Sequence, residues 1–127
     1  MAVFYKSEIN MRSANEDSFC DLKMRINHEA AVHVMAVADG MGGLSGGKHY
    51  SSTAVRLLCE KLLKLIMEEE FKGSSLYDQM ELLTDFSRGV FSQINQELYR
   101  EGLNAGIKGG TTLSFVIRFW HTFIIYF

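Results

Sequence analysis

The sequence predicts an α+β domain, an antiparallel β-sheet with helices packed against it. Three observations carry that prediction. Residues 19–26 alternate polar and apolar side chains, residues 47–101 switch to apolar stripes at helical spacing, and residues 111–127 return to β-branched and aromatic composition. The elements therefore run strands, two long helices, strands. A doubly wound fold would instead alternate strand and helix along the chain.

Taken in order, residues 3–6 form a short apolar-aromatic run that fits an edge strand, followed by the polar loop SEINMRSANED. In residues 19–26, Leu22, Met24 and Ile26 share one face and Asp21, Lys23 and Arg25 the other, the pattern of a half-solvated antiparallel strand. Asn27, His28 and Glu29 make its turn, and residues 31–38 are its hairpin partner. That partner is apolar at every position except His33, as expected of a strand covered on both faces. Over residues 47–71, Val55, Leu58, Cys59, Leu62, Leu65 and Ile66 make one stripe, with Arg56, Glu60, Lys61 and Lys64 largely opposite. Glu68, Glu69 and Glu70 read as the solvated end of that helix, and Lys72-Gly73-Ser74-Ser75 as the break after it. A second helix over residues 76–101 aligns Met80, Leu83, Phe86, Val90, Phe91, Ile94 and Leu98, with Gly102 as its stop. Residues 111–119 and 122–127 then form two further strands.

The composition supports a packed core for a single domain over residues 1–127, with 47% hydrophobic and 12% aromatic residues. A formal charge of −2 and scattered basic residues give no footprint for nucleic acid. Cys20 and Cys59 cannot make a disulfide framework, and both sit among apolar neighbours as buried thiols do, which fits a reducing, cytoplasmic setting. The amino terminus turns charged too early for a signal peptide, and the apolar run 115–127 contains Arg118 and His121 and is shorter than the roughly 20 residues of a membrane span. No membrane association is expected.

The chemistry is concentrated at Asp39. An apolar strand ends in this carboxylate and five glycines follow, Gly40, Gly42, Gly43, Gly46 and Gly47, before a helix begins. Glycines let backbone amides and carbonyls approach a ligand, and the helix N-terminus adds positive potential. The segment is neither a dinucleotide fingerprint nor a P-loop, since Gly42, Gly47 and Lys48 are followed by His49 where Ser or Thr is required. Two other polar clusters lie at ends of expected strands: Arg12 with Asn15, Glu16 and Asp17, and Gly109-Gly110-Thr111-Thr112. Hard divalent cations take carboxylate, carbonyl and water oxygens, and an arginine offers the planar fork that suits a phosphate.

At these residues the chain resembles the PPM, or type 2C, metal-dependent protein serine/threonine phosphatases, in a form like the bacterial branch. The matching stretches are RSANEDSF at 12–19, AVADGMGG at 36–43 and GGTTLSFVI at 109–117. The resemblance implies an antiparallel β-sandwich flanked by helices, with two Mg²⁺ or Mn²⁺ ions at its edge and a metal-activated water that hydrolyses phosphoserine or phosphothreonine in a phosphoprotein substrate. Carried over by position, Asp39 bridges both ions, Gly40 ligates one through its carbonyl, and Glu16 or Asp17 serves the second directly or through water. Arg12 grips the phosphate, and Thr111 and Thr112 support the site from behind it. Met41 stands where some members have a proton-donating histidine, and a thioether cannot donate a proton. The family's later glycine-aspartate and aspartate-asparagine motifs have no counterpart in this sequence. The expectation is thus about half of the fold, its N-terminal part, inactive alone, with sheet edges around residues 123–127 open to pairing. The alternative is a non-catalytic, pseudophosphatase-like module that binds a protein partner.

Overall fold

The computed structural model describes residues 15–42 and 46–127. The expected strand at residues 3–6 and the phosphate-gripping Arg12 lie outside the described residues. The elements run β1 (Asp17–Arg25), β2 (Ala31–Met41), α1 (Gly46–Met67), α2 (Glu69–Gly73), α3 (Leu76–Ala105), β3 (Gly110–Thr111), β4 (Ser114–Phe119) and β5 (Thr122–Tyr126). The sheet order is β1-β2-β4-β5, every pairing is antiparallel, and β3 adds to the end of β2.

The β1–β2 hairpin closes where the polar triplet predicts. Asn27 Oδ1 accepts from the backbone N–H groups of Glu29 and Ala30, at 2.8 and 2.9 Å, an Asx-type turn that substitutes a side chain for a ladder partner. Along β2 the even positions Val32, Val34, Ala36 and Ala38 are buried, together with Phe115, Ile117 and Phe119 of β4 and Ile124 of β5. α1 covers this face with Tyr50, Ala54, Leu58, Leu62 and Ile66, and α3 adds Leu83, Val90, Ile94 and Leu98. Burial at this density, at about 25 cal/mol per Å² of apolar surface, is what holds the helices to the sheet.

Three expectations need correction. β2 is covered on one face: among the described residues nothing packs over its odd positions, and Val37 is 58% exposed. Continuous hydrophobicity is the pattern of a strand with two-sided cover, and the described helices all cover one side. The first helix breaks at Glu68, whose extended backbone (ψ 140°) separates α1 from a short α2 that seats Phe71 in the core. The second helix does not stop at Gly102. It runs to Ala105 and ends at Gly106, whose φ of 66° is the left-handed cap. Gly102 serves close packing instead, since a Cβ there would lie 2.0 Å from the Tyr50 hydroxyl oxygen.

The other boundaries follow local chemistry. Ser75 caps α3 by accepting from the Asp78 N–H at 3.1 Å. Trp120, with φ 57°, makes the tight β4–β5 turn together with His121. Among the described residues no helix is long and apolar enough to cross a membrane.

Candidate functional site

The antiparallel register sets Asp17 of β1 directly opposite Asp39 of β2. Both carboxylates project from the sheet face turned away from the helices, because the even positions of β2 are the ones buried against them. Directly opposed residues have Cβ atoms about 5 Å apart, so the two carboxylates are cross-strand neighbours.

The end of β2 is fixed by the segment that follows α3. The Asp39 N–H donates to Thr112 Oγ1 at 3.0 Å, and the Thr112 N–H donates to the Asp39 carbonyl at 3.0 Å. Thr112 therefore holds Asp39 on both sides of its backbone. Thr111 is the β3 partner of Gly40, and its own hydroxyl is turned to the Thr112 carbonyl at 2.8 Å.

Glu16 occupies a different position from its neighbour Asp17. It is 8% exposed, with its carboxylate packed where a Cβ on Gly47 would fall, 2.6 Å from Cδ and Oε1. Gly47 sits in the first turn of α1, so the carboxylate lies at the positive end of the helix dipole. The Gly40 N–H donates to the Glu16 carbonyl at 3.2 Å. A Cβ on Gly40 would meet the Gly47 carbonyl oxygen at 2.0 Å, so two strand ends and a helix start converge at a point that only glycine can occupy. Asp17 and Glu16 thus lie in different surroundings, Asp17 opposite Asp39 and Glu16 buried beside Gly47.

Several supporting residues were invisible to sequence reasoning. Ser51 is fully buried on α1; its hydroxyl donates to the Glu16 carbonyl at 2.6 Å and lies 2.8 Å from Ser18 Oγ. Lys48 Nζ donates to the Asp17 carbonyl at 2.5 Å and to Ser18 Oγ at 3.2 Å, while Asn15, already part of the first polar cluster, accepts through Oδ1 from the Asp17 N–H at 2.9 Å. The available signal was Ser51 and Thr53 standing on the buried side of an apolar helix, where hydroxyls need partners. The histidines serve elsewhere. His33 is bonded to Asp21, and the buried Nε2 of His49 has no hydrogen-bond partner among the described residues, with Glu101 Oε2 3.8 Å away. Met41, two residues beyond Asp39, is 56% exposed.

Among the described residues no group of three or more His, Cys, Asp and Glu side chains is placed to hold a metal ion. The oxygen donors at this end of the sheet are the opposed Asp17 and Asp39 carboxylates on one face, the Glu16 carboxylate buried beside α1, and backbone carbonyls brought close by glycine. That donor set suits Mg²⁺ or Mn²⁺ and not a soft ion.

The protein phosphatase 2C family matches residues 6–127. This chain belongs to that family. No curated protein matches it. Among solved structures, it is similar to a bacterial serine phosphatase, at 19% identity and a TM-score of 0.62, over 94% of this chain and 49% of that one. It is similar also to the serine/threonine phosphatase of S. agalactiae, at 20% identity and a TM-score of 0.58, over 96% of this chain and 53% of that one. At such identities the likeness establishes the fold, an antiparallel sheet with helices of the 2C phosphatase type. The chain spans about half the length of these phosphatases.

Proposed function

We propose that this 2C-family chain contributes one side of a two-metal centre that hydrolyses phosphoserine and phosphothreonine in phosphoprotein substrates, in a reducing cytoplasmic setting. The observation that carries the reading is the pair of opposed carboxylates, Asp17 and Asp39, beside the Gly40–Gly47 contact. Opposed carboxylates on one sheet face, beside carbonyls brought close by glycine, are oxygen donors of the kind a hard divalent cation takes.

Of the residues present, Asp39 and the Gly40 carbonyl would hold the ions, with Asp39 the candidate shared ligand, and Asp17 or Glu16 would serve the second ion or its water. Two Mg²⁺ or Mn²⁺ ions bound there supply a nucleophilic water at neutral pH and neutralise the charge of an in-line displacement. The chain's own residues do the positioning. Thr112 holds the Asp39 backbone from both sides, Ser51 and Gly40 hold Glu16 through its carbonyl, and Arg12 takes the phosphate. No proton reaches the leaving serine from Met41, so that proton comes from solvent or from outside this span.

Calorimetric titration of the 127-residue chain with Mn²⁺ tests the reading, alongside phosphopeptide turnover. We expect Mn²⁺ binding that is lost in Asp39→Ala and weakened in Asp17→Asn, with no turnover by this span alone. Binding indifferent to both substitutions would remove the metal assignment. Metal-independent capture of a single protein partner through the β5 edge would favour the non-catalytic alternative.

A further inference from the structure

The two cysteines, 39 residues apart in sequence, meet in the fold: Cys20 Sγ on β1 and Cys59 Sγ on α1 are 3.4 Å apart. Both are free thiols, partly buried and packed at the margin of the core. Neither the metal chemistry nor the helix packing calls for a second sulfur at this point. We propose that Cys20 and Cys59 form a peroxide-oxidisable dithiol, a reversible modification site that ties β1 to α1 by an intramolecular disulfide.

The geometry is close to what the product needs. A disulfide requires the sulfurs to close to about 2.05 Å, a movement of roughly 1.4 Å that side-chain rotation and a small strand shift supply. The roles of the two thiols differ. Cys59 has its pKa lowered, chiefly by its hydrogen bond with Cys20, while burial and nearby Glu60 oppose this. Cys20 is pushed up by the same contact, by burial and by the charge on Cys59, with Asp21 adding to the effect. Cys59 is thus the attacking sulfur and Cys20 the resolving one.

The chemistry balances with hydrogen peroxide as the two-electron oxidant. The Cys59 thiolate attacks one peroxide oxygen; an S–O bond forms, the O–O bond breaks, and hydroxide leaves. Cys20 gives its proton to that hydroxide, which leaves as water, and its thiolate attacks the Cys59 sulfur of the sulfenic acid; the S–S bond forms, the S–O bond breaks, and the departing hydroxide takes up the proton that Cys59 lost on ionising, leaving as the second water. Two thiols lose two hydrogens and two electrons, and peroxide becomes two waters. A dithiol reagent such as dithiothreitol reverses the change by exchange.

The site is tested on the 127-residue chain by treatment with equimolar peroxide, followed by intact-mass measurement and tryptic mapping. We expect a monomer two hydrogens lighter, a cross-linked pair of peptides covering residues 13–23 and 57–61, and full return on adding dithiothreitol. Cys20→Ser should let dimedone trap a sulfenic acid on Cys59, and Cys59→Ser should leave Cys20 largely unmodified. Both variants are near-isosteric, and circular dichroism checks that they fold. Oxidation to sulfinic acid without a cross-link, disulfide-linked dimers as the main product, or equal reactivity of Cys20 in the absence of Cys59 would each overturn the proposal.

Discussion

The convergence of β1, β2 and α1 at Gly40 makes a sharp quantitative test. Alanine at this position adds one methyl group, which would sit 2.0 Å from the Gly47 carbonyl oxygen, 2.4 Å from the Gly47 carbonyl carbon and 2.8 Å from the Glu16 carbonyl oxygen. All three are backbone atoms, so no side chain can swing aside. Reaching ordinary van der Waals separation requires the strand end and the helix start to part by roughly 1.5 Å. Overpacking of this kind costs about 1–3 kcal/mol. The same movement strains the 3.2 Å hydrogen bond from the Gly40 N–H to the Glu16 carbonyl, worth about 1 kcal/mol net. Gly40→Ala should therefore lose about 2–4 kcal/mol in urea unfolding followed by far-ultraviolet circular dichroism. It should also weaken Mn²⁺ binding, because the Gly40 carbonyl and the Asp39 carboxylate move with the strand end. Gly73→Ala is the matched control: a Cβ there meets nothing within 4 Å, and replacing a helical glycine gains up to about 1 kcal/mol. A loss below about 0.5 kcal/mol in Gly40→Ala, the range of ordinary surface substitutions, would refute the packing argument. So would an equal loss in Gly73→Ala.

Thr112→Val keeps the shape of the side chain but removes the acceptor of the Asp39 N–H; a loss of about 1 kcal/mol with reduced Mn²⁺ affinity is expected by unfolding and calorimetry. Ser51→Ala deletes a buried hydroxyl that joins α1 to the Glu16 carbonyl and to Ser18, and should lower the unfolding free energy by about 1.5 kcal/mol. Gly102→Ala should destabilise by about 1–3 kcal/mol through its clash with the Tyr50 hydroxyl. Tyr50→Phe removes that oxygen and its 2.7 Å bond to the Ile107 carbonyl, so the double variant should be more stable than the sum of the two single losses predicts. A strictly additive cycle would show that Gly102 and Tyr50 are not in the tight contact described.

Local pattern carried most of the architecture. Period-two alternation marked β1, helical stripes marked α1 and α3, and the Asn27-His28-Glu29 turn and the Trp120-His121 break lay where polarity and strand length place them. Asp39 stood out in the sequence as the carboxylate ahead of a glycine run, but β2 does not end there: it continues through Gly40 and Met41, which pair with β3, a segment too distant in the chain for local pattern to reveal. Gly102 misled because a glycine near a helix end looks the same whether it caps the helix or admits a neighbour. Tyr50, which decides the matter, lies 52 positions away in the chain. Leu22 illustrates the opposite error: it lies on the apolar face of β1 yet remains 41% exposed, on a strand that is at the sheet edge among the described residues.

By itself the sequence determined the α+β class, the order of elements and the three polar clusters that mark a 2C phosphatase, since these depend on neighbours within a turn or a strand pair. Only the tertiary structure decided that Asp17, rather than Glu16, faces Asp39, because that choice rests on cross-strand register and on which face α1 covers. It alone brought Cys20 to Cys59 and Thr112 to Asp39, contacts separated by 39 and 73 residues. Such pairs are set by how helices seat on the sheet. No periodicity within either segment encodes that distance.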